Sequence, residues 1–498
     1  MSDEKESNSR MLGAVGLNAL LTDKFKLWKT PDNEPYADYY HDSVRHSIPV
    51  RSDEFKNAVY ALSMRLAAGK IPSKNGIEEF QAMCAAHATI GRKVREVELR
   101  VATKNGALYY DLNNEDNEIV AFADGKWEVK VADAEAPRFL RPLAMREQIT
   151  PRQPSRDLVS LLRPFIAVKN DADLHLAAAW LVGCFKPKGP YPVLIINGEQ
   201  GSAKSTTTRV LRKLVDPHGL DMREPPASAR DLVAAAKNSF VLAFDNMSTM
   251  PAWLSDRLCM VATGTGALGG RALYTNSDEA AYSVCRPIII NGIPAFVERE
   301  DLADRAINLE LPAITGERRM DDDTFWGKFN DAYPEILGAI FAAVAVAHRD
   351  FGTTVLRDAP RMANFARWAV AGLGVEAGTT FYEAYARNRK DAAEHFIEHS
   401  EVTQAVLAMM LSRDSWIGTW VELLDAITKH QPSHGTKFWP ENSLQLRNRL
   451  VRSAKELRAV GLEWKAQGRE SGTGRSRLEL YKAKDFASRG YAVSAVSA

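Results

Sequence analysis

The residues of this chain best suited to chemistry form one short run, Gly198-Glu199-Gln200-Gly201-Ser202-Ala203-Lys204-Ser205, followed by Thr206. An apolar stretch, Val193-Leu194-Ile195-Ile196, precedes it, and a helical pattern from Thr206 to Val215 follows. Strand, glycine-rich loop and helix, in that order, are what a phosphate-binding loop requires. The glycines let backbone N–H groups converge on phosphates, Lys204 supplies charge for the β/γ end, and the Ser205 hydroxyl can hold Mg²⁺. The expected ligand is therefore ATP with Mg²⁺. Ala203 stands where such loops carry glycine, and its methyl group is read as a tolerated intrusion. The alternative is a glycine-rich turn that happens to precede a helix.

Three further stretches fit around such a loop. Phe240-Val241-Leu242-Ala243-Phe244-Asp245-Asn246 reads as a buried strand ending in a carboxylate, which can reach Mg²⁺ through water. Asp245 could instead be a loop-capping residue. Asn246 can orient a water but cannot take its proton, so hydrolysis is expected to be slow or to use another carboxylate, Glu199 or Asp256. Arg286-Pro287-Ile288-Ile289-Ile290-Asn291-Gly292 is a third strand with an amide at its tip, placed to hold a water or the γ-phosphate, or simply a turn. Arg305, in Asp301-Leu302-Ala303-Asp304-Arg305, precedes a last strand, Ala306 to Leu311. It could reach a neighbouring subunit's nucleotide, or pair with Asp301 or Asp304. Between the second and third strands, Thr263 to Thr275 is glycine-rich and includes Arg271 and Tyr274, a cation and an aromatic that suit contact with a nucleic-acid strand, or a plain flexible connection.

A second constellation lies near the C-terminus. Thr419 can cap a helix from Trp420 to Lys429, and Asn442 or Ser443 a second one from Leu444 to Val460. Leu462-Glu463-Trp464-Lys465 and Arg477-Leu478-Glu479-Leu480-Tyr481 then flank a Gly/Ser-rich tip. Helix, turn, helix and hairpin is the order of a winged helix. From Glu441 to Lys482, ten basic residues face five acidic ones. Arg447, Arg449, Arg452, Arg469, Arg475 and Arg477 are the candidate phosphate contacts on DNA. A winged helix that contacts protein is the alternative.

The elements that must position these groups follow from composition and pattern. The chain has 498 residues, 45% hydrophobic and 26% charged, with a formal net charge of +1. That is ordinary for a folded protein of several domains, and it excludes a uniformly basic molecule, so any nucleic-acid surface must be local. Cys84, Cys184, Cys259 and Cys285 form no Cys-x-x-Cys pair, which fits a reducing, cytoplasmic compartment and argues against a zinc ribbon. The apolar runs Leu174 to Phe185 and Ile336 to Ala347 are shorter than a bilayer span and read as buried helices, so no membrane association is expected. The pattern predicts an N-terminal α+β domain over 1–150. It has a helix from Ser52 to about Lys70, then period-two strands from Lys93 to Val131 with turns at Asn105-Gly106 and Asp124-Gly125. Pro137 to Pro154 reads as a linker. A core of strands alternating with helices over 155–320 predicts a parallel sheet with helices on both faces, followed by helices over 321–400 and the winged-helix unit over 401–498.

In this order the elements resemble the ATPase core of superfamily 3 helicases, the AAA+-type primase–helicases of phages, plasmids and large DNA viruses. Gly198 to Thr206, Asp245-Asn246 and Ser255 to Cys259 are also similar to an ATP-binding protein group common in prophages. The resemblance is good over about 155–315, loose over the winged helix and weak before it. It implies an α/β P-loop NTPase fold and an ATP-dependent DNA helicase or translocase, working as a ring, with a hexamer expected, in a bacterial host cell. It implies nucleotide and Mg²⁺ roles for Lys204, Ser205 and Asp245, a sensor role for Asn291, a finger role for Arg305 and a DNA-contacting role for Arg271. No primase carboxylate cluster is evident, so a primase would be a separate partner. A nucleotide-binding switch, as a helicase loader or defence ATPase, is the rival reading, and Asn246 favours it.

Overall fold

In the computed structural model, residues 11–41, 44–67, 70–265, 268–271, 279–282, 284–292, 300–314, 319–399, 401–431, 439–459, 461–469 and 476–483 are described. A four-stranded parallel sheet is at the centre. Its strands run in the order Leu242–Met247, Ile288–Gly292, Val193–Gly198, Ala306–Leu311. Three of these strands are apolar runs with polar tips because both faces are covered, whereas Ala306–Leu311, at the margin, alternates, with Asn308 half-buried and Glu310 exposed. Leu194 and Ile196 enter one core, with the helices Asp171–Cys184, Lys204–Val215, Asp322–Asp350 and Ala363–His399. Val193 and Ile195 enter the other, with Ala229–Asn238 and Ala252–Thr263. The expected parallel sheet with helices on both faces is thus observed.

Both margins of the sheet are occupied. Beside Leu242–Met247, Arg223 forms a parallel bridge with Phe244; its N–H donates to the Ala243 carbonyl (2.9 Å), and its carbonyl accepts from Asp245 N (2.9 Å). Beside Ala306–Leu311, the Asn388 amide lies against Asn308: Oδ1 accepts from Asn308 N at 2.9 Å and Nδ2 donates to Asn308 O at 2.6 Å.

The antiparallel sheet Val101–Lys104, Ala107–Asp111, Glu118–Ala123, Lys126–Val131 is a meander. Its turns at Asn105-Gly106 and Asp124-Gly125 have φ of 51°, 81°, 52° and 75°, the conformation for which these residue pairs are suited. Two expectations fail here. Lys93 to Leu99 forms only isolated bridges, Val94 with Lys29 and Glu98 with Phe139, and the strand begins at Val101. The boundary expected near residue 150 does not divide the cores, since Leu108, Tyr110, Val120 and Phe122 pack into the same core as Trp180 and Phe341. Phe341 meets Tyr110 and Phe122 at centroid distances of 5.3 and 5.4 Å. The separate N-terminal core instead gathers Leu17, Phe55 and Phe80 from helices, Phe25 from the connection before the first strand, and Ala37 and Ile48 from the sheet Lys26–Lys29, Pro35–His41, Val44–Pro49, which the sequence pattern did not reveal.

Pro137 to Pro154 is not a free linker either. Gln148 is wholly buried; its N–H donates to Leu112 O, and its side chain meets Tyr110 OH at 3.1 Å and the Tyr333 hydroxyl. Prolines suit this extended passage because they bring fewer backbone donors to satisfy in the interior. Close by, Arg100 and Asp216, both fully buried, pair at 3.0 Å and fasten the meander to the end of the helix Lys204–Val215. Among the described residues one helix, Asp322–Asp350, is long and apolar enough to cross a bilayer by length and composition. Phe329, Ile336, Leu337, Ile340, Phe341 and Val344 on it are buried in the protein core.

The C-terminal unit has its own core, including Val406, Met410, Leu423, Leu446, Leu450, Leu457, Leu478 and Leu480. The expected single helix from Leu444 is broken at Ser453 into Ser443–Arg452 and Ala454–Ala459. Leu462–Arg469 and Ser476–Lys482 form the hairpin, and the strand Ser415–Thr419, not foreseen, joins Ser476–Lys482 as a third strand.

Candidate functional site

The glycine-rich loop leaves the C-terminal end of a central strand, where open α/β sheets present their ligand crevice. Gly198 is packed so closely that a Cβ would lie 2.7 Å from the Leu311 carbonyl oxygen. Gly201 has φ of 80° and Ala203, at the cap of the helix Lys204–Val215, has φ of 59° and ψ of 31°. The cost of Ala203 is therefore conformational: it holds a left-handed backbone that glycine adopts freely. Glu199 and Gln200 are exposed at the loop tip, whereas Ser202 is buried and donates through Oγ to Glu199 O at 2.9 Å.

Lys204 Nζ turns back on the loop, donating to the Gly198 and Glu199 carbonyls at 2.7 Å each. Burial lowers its ammonium from the ordinary lysine value, with Asp245 acting in the opposite direction. The Ser205 hydroxyl donates to Asp245 Oδ1 at 3.2 Å, which brings the first and second strand tips into contact. Thr206 follows on the first turn of the helix, half-buried.

The third tip is joined to both. Asn291, 1% exposed, accepts at Oδ1 from Asn246 N (3.0 Å) and donates through Nδ2 to Thr208 Oγ1 (3.0 Å). Asn246 has φ of 55° and an exposed side chain. Asparagine tolerates that backbone far better than glutamate, which gives a physical reason for the absence of glutamate at this strand tip. Thr208 was not singled out in the sequence; its place one helical turn after Lys204 was the available signal.

Arg305 lies apart from this cluster. Its guanidinium donates to Asp301 O at 2.7 Å and pairs with the Asp301 carboxylate, so its observed contacts are those of the ion-pair reading. Arg361 bridges Asp301 and Asp304 at 3.1 and 2.9 Å, and Arg389 reaches Asp304 at 3.2 Å. Burial would raise the Asp301 carboxyl, but its hydrogen bond and charge contact with Arg305 outweigh it and hold the group below the ordinary carboxylate value.

The run around Arg271 is a hairpin in its described parts, with Leu268–Arg271 antiparallel to Glu279–Tyr282. The Arg271 side chain and all of Tyr274 lie outside the described residues. In the C-terminal unit Arg447 and Arg449 sit on the helix Ser443–Arg452, Arg469 ends one hairpin strand and Arg477 lies near the start of the other. Arg447 and Arg469 are exposed, while Arg449 and Arg477 are half-buried. Arg452 ends its helix with its side chain undescribed, and Arg475 lies outside the described residues.

Fold and site thus define a mixed α/β protein with a glycine-rich loop at the mouth of a parallel sheet and a separately cored C-terminal unit. Residues 158–395 match the family model of the actinomycete integrative conjugative element replication protein, and residues 402–489 match that of the AICE RepA C-terminal domain. Both descriptions name parts of a replication protein, and to that class the chain is similar over these residues. Comparison with curated proteins gives no match. Similar solved structures include one titled "The A form apo structure of NrS-1 C terminal region-CTR", 12% identical, covering 93% of this chain and 98% of that one with a TM-score of 0.40. Another, "The apo structure of NrS-1 C terminal region (305-718)", is also 12% identical, with coverages of 93% and 97% and a TM-score of 0.39.

Proposed function

We propose that this replication-type protein is an ATP-driven DNA helicase or translocase, with an AAA+-like P-loop core and a winged-helix DNA-binding unit at its C-terminal end. The observation that carries the reading is the meeting of Ser205 and Asp245 at 3.2 Å beside Lys204. A hydroxyl and a carboxylate at that spacing suit a hard cation such as Mg²⁺, which in such sites keeps several waters and binds few protein oxygens. Loop residues with positive φ at Gly201 and Ala203 suit a backbone cradle for phosphates. When bound, Mg²⁺ would neutralise charge on the transferring phosphoryl group. Lys204 would leave its two carbonyls for the phosphates, and Asn291 would hold the Asp245-Asn246 tip against the helix that starts at Lys204. Arg271 and Tyr274 would meet a DNA strand, and the arginines from Arg447 to Arg477 would hold duplex phosphates. A hexameric ring, with Arg305 reaching the next subunit, completes the scheme; the working place is the host cell cytoplasm.

A slow nucleotide switch is the second reading. It is favoured by Asn246 and by the contact of Arg305 with Asp301 in its own chain. Nucleotide turnover measured with and without DNA, in wild type and Lys204→Ala, separates the two. A motor should show DNA-stimulated turnover that falls on the order of 10²-fold or more in the variant. Tight ATP binding with no stimulation would sink the motor and leave the switch.

A further inference from the structure

Arg319 approaches the glycine-rich loop from a part of the chain that the motifs do not include. A Cβ placed on Gly201 would lie 3.2 Å from its Nη2, so the guanidinium lies against the one loop position that is both free of a side chain and in the left-handed region. The approach is held on both sides. Ile314 N donates to Gly201 O at 3.4 Å, shortly after the strand Ala306–Leu311 ends. Two residues beyond Arg319, Asp321 caps the helix Asp322–Asp350, accepting from Thr324 N at 2.9 Å, and Phe329, Tyr333 and Ile336 bury that helix in the core. Of the described residues around Arg319 in sequence, Ile314 is thus tied to the loop and Asp321 to the helix buried in the main core.

The electrostatics of the place ask for an anion. The helix that starts at Lys204 turns its positive end to the loop, Lys204 adds an ammonium, and the exposed Arg319 adds a guanidinium beside Gly201. Three positive groups around a loop repel one another in the absence of a ligand and are reconciled by a polyanion among them. We infer that Arg319 is a phosphate-contacting residue that reaches, from beside Gly201, the polyphosphate of a nucleotide held by the loop. This rests on the proposed nucleotide reading. The ligand class it selects is a nucleoside di- or triphosphate over a monophosphate, because a forked guanidinium gains most from adjacent phosphate oxygens.

Calorimetric titration of the full-length protein with ATP, ADP and AMP, in wild type, Arg319→Ala and Arg319→Lys, tests it. The expected result is a loss of about tenfold or more in ATP and ADP affinity for Arg319→Ala, as for a charge-assisted hydrogen bond. AMP affinity should be unchanged and Arg319→Lys should recover part of the loss. Wild-type ATP affinity in Arg319→Ala would overturn the inference alone. An equal loss for ATP and AMP would also overturn it, since it would mark a residue that merely props the loop. Failure of wild type itself to bind ATP would remove the nucleotide reading and this inference together, and is told apart by the protein in which it occurs.

Discussion

Two non-glycine residues at the site, Ala203 and Asn246, hold left-handed backbones. For Ala203 the strain is about 1–2 kcal/mol, against about 0.5–1 kcal/mol of extra chain entropy that a glycine would lose on folding. Ala203→Gly should therefore leave stability unchanged or raise it by up to about 1.5 kcal/mol, read from chemical denaturation. Asn246→Glu should cost about 1 kcal/mol in the same assay, because glutamate has no comparable ease in that region. Asn291 is the more exacting position. Asn291→Ala strips partners from Asn246 N and the buried Thr208 hydroxyl, and about 1–3 kcal/mol of stability should go with them. His218 sets a pH dependence. Burial first, then Arg212, pushes its imidazole down to about 4, and its Nδ1 accepts from Leu220 N. In the unfolded chain it takes a proton near its ordinary value of 6.5. Stability should thus fall as pH drops from 6.5 towards 4, since only the unfolded state gains a proton there. A His218→Gln variant should show a flatter thermal-midpoint profile over that window.

At the scale of elements, the buried Arg100–Asp216 pair fastens the antiparallel meander to the helix that carries Lys204. Asp216 also accepts from the N–H groups of Phe240 and Val241 at 3.0 Å. Asp216→Ala should cost about 3–5 kcal/mol, because it leaves the buried guanidinium, still bonded to backbone carbonyls, without its counter-charge and two amides without acceptors, and replacing Arg100 and Asp216 together by apolar residues should cost less. Equilibrium unfolding of the single and double variants gives the comparison. The central sheet was legible in the sequence because three of its strands are apolar runs too short for buried helices, each stopping at a polar residue, while the marginal Ala306–Leu311 shows period-two alternation. The turns at Asn105-Gly106 and Asp124-Gly125 were legible because only residues at ease with positive φ suit so tight a reversal. The N-terminal strands were not, since Pro35–His41 carries three tyrosines and a histidine among polar neighbours and buries Asp38 through Trp28, Ser47, Arg95 and Arg138. No periodicity announces a strand stabilised by a buried carboxylate. Nor could local pattern show that Gln148 would be wholly buried, because its partners Tyr110 and Tyr333 lie far away in sequence.

At the scale of the whole molecule, the division of cores differs from the division of motifs. The meander and the long helices share one core with the sheet, so 99–385 should unfold as a unit. The C-terminal unit gathers a core of its own, and a fragment starting at Glu401 should fold alone and bind duplex DNA with an affinity that falls steeply with salt. A fragment that folds but binds DNA with no salt dependence would point to a protein partner instead. The candidate site was legible as far as its residues share strand tips. The contact of Arg305 with Asp301 lies four residues apart in sequence, so spacing alone admits it, as it admits a reach to a neighbouring subunit.

The Asn388 side chain has a consequence beyond local order. Lying along Asn308 with one donor and one acceptor, it imitates a neighbouring strand where the sheet would otherwise stop. A foreign strand seeking to extend the array laterally finds those two backbone groups already engaged, so accidental stacking into fibres is discouraged at that rim. Assembly of copies through this rim is thereby disfavoured, and Asn388→Ala should show itself first as turbidity on mild heating.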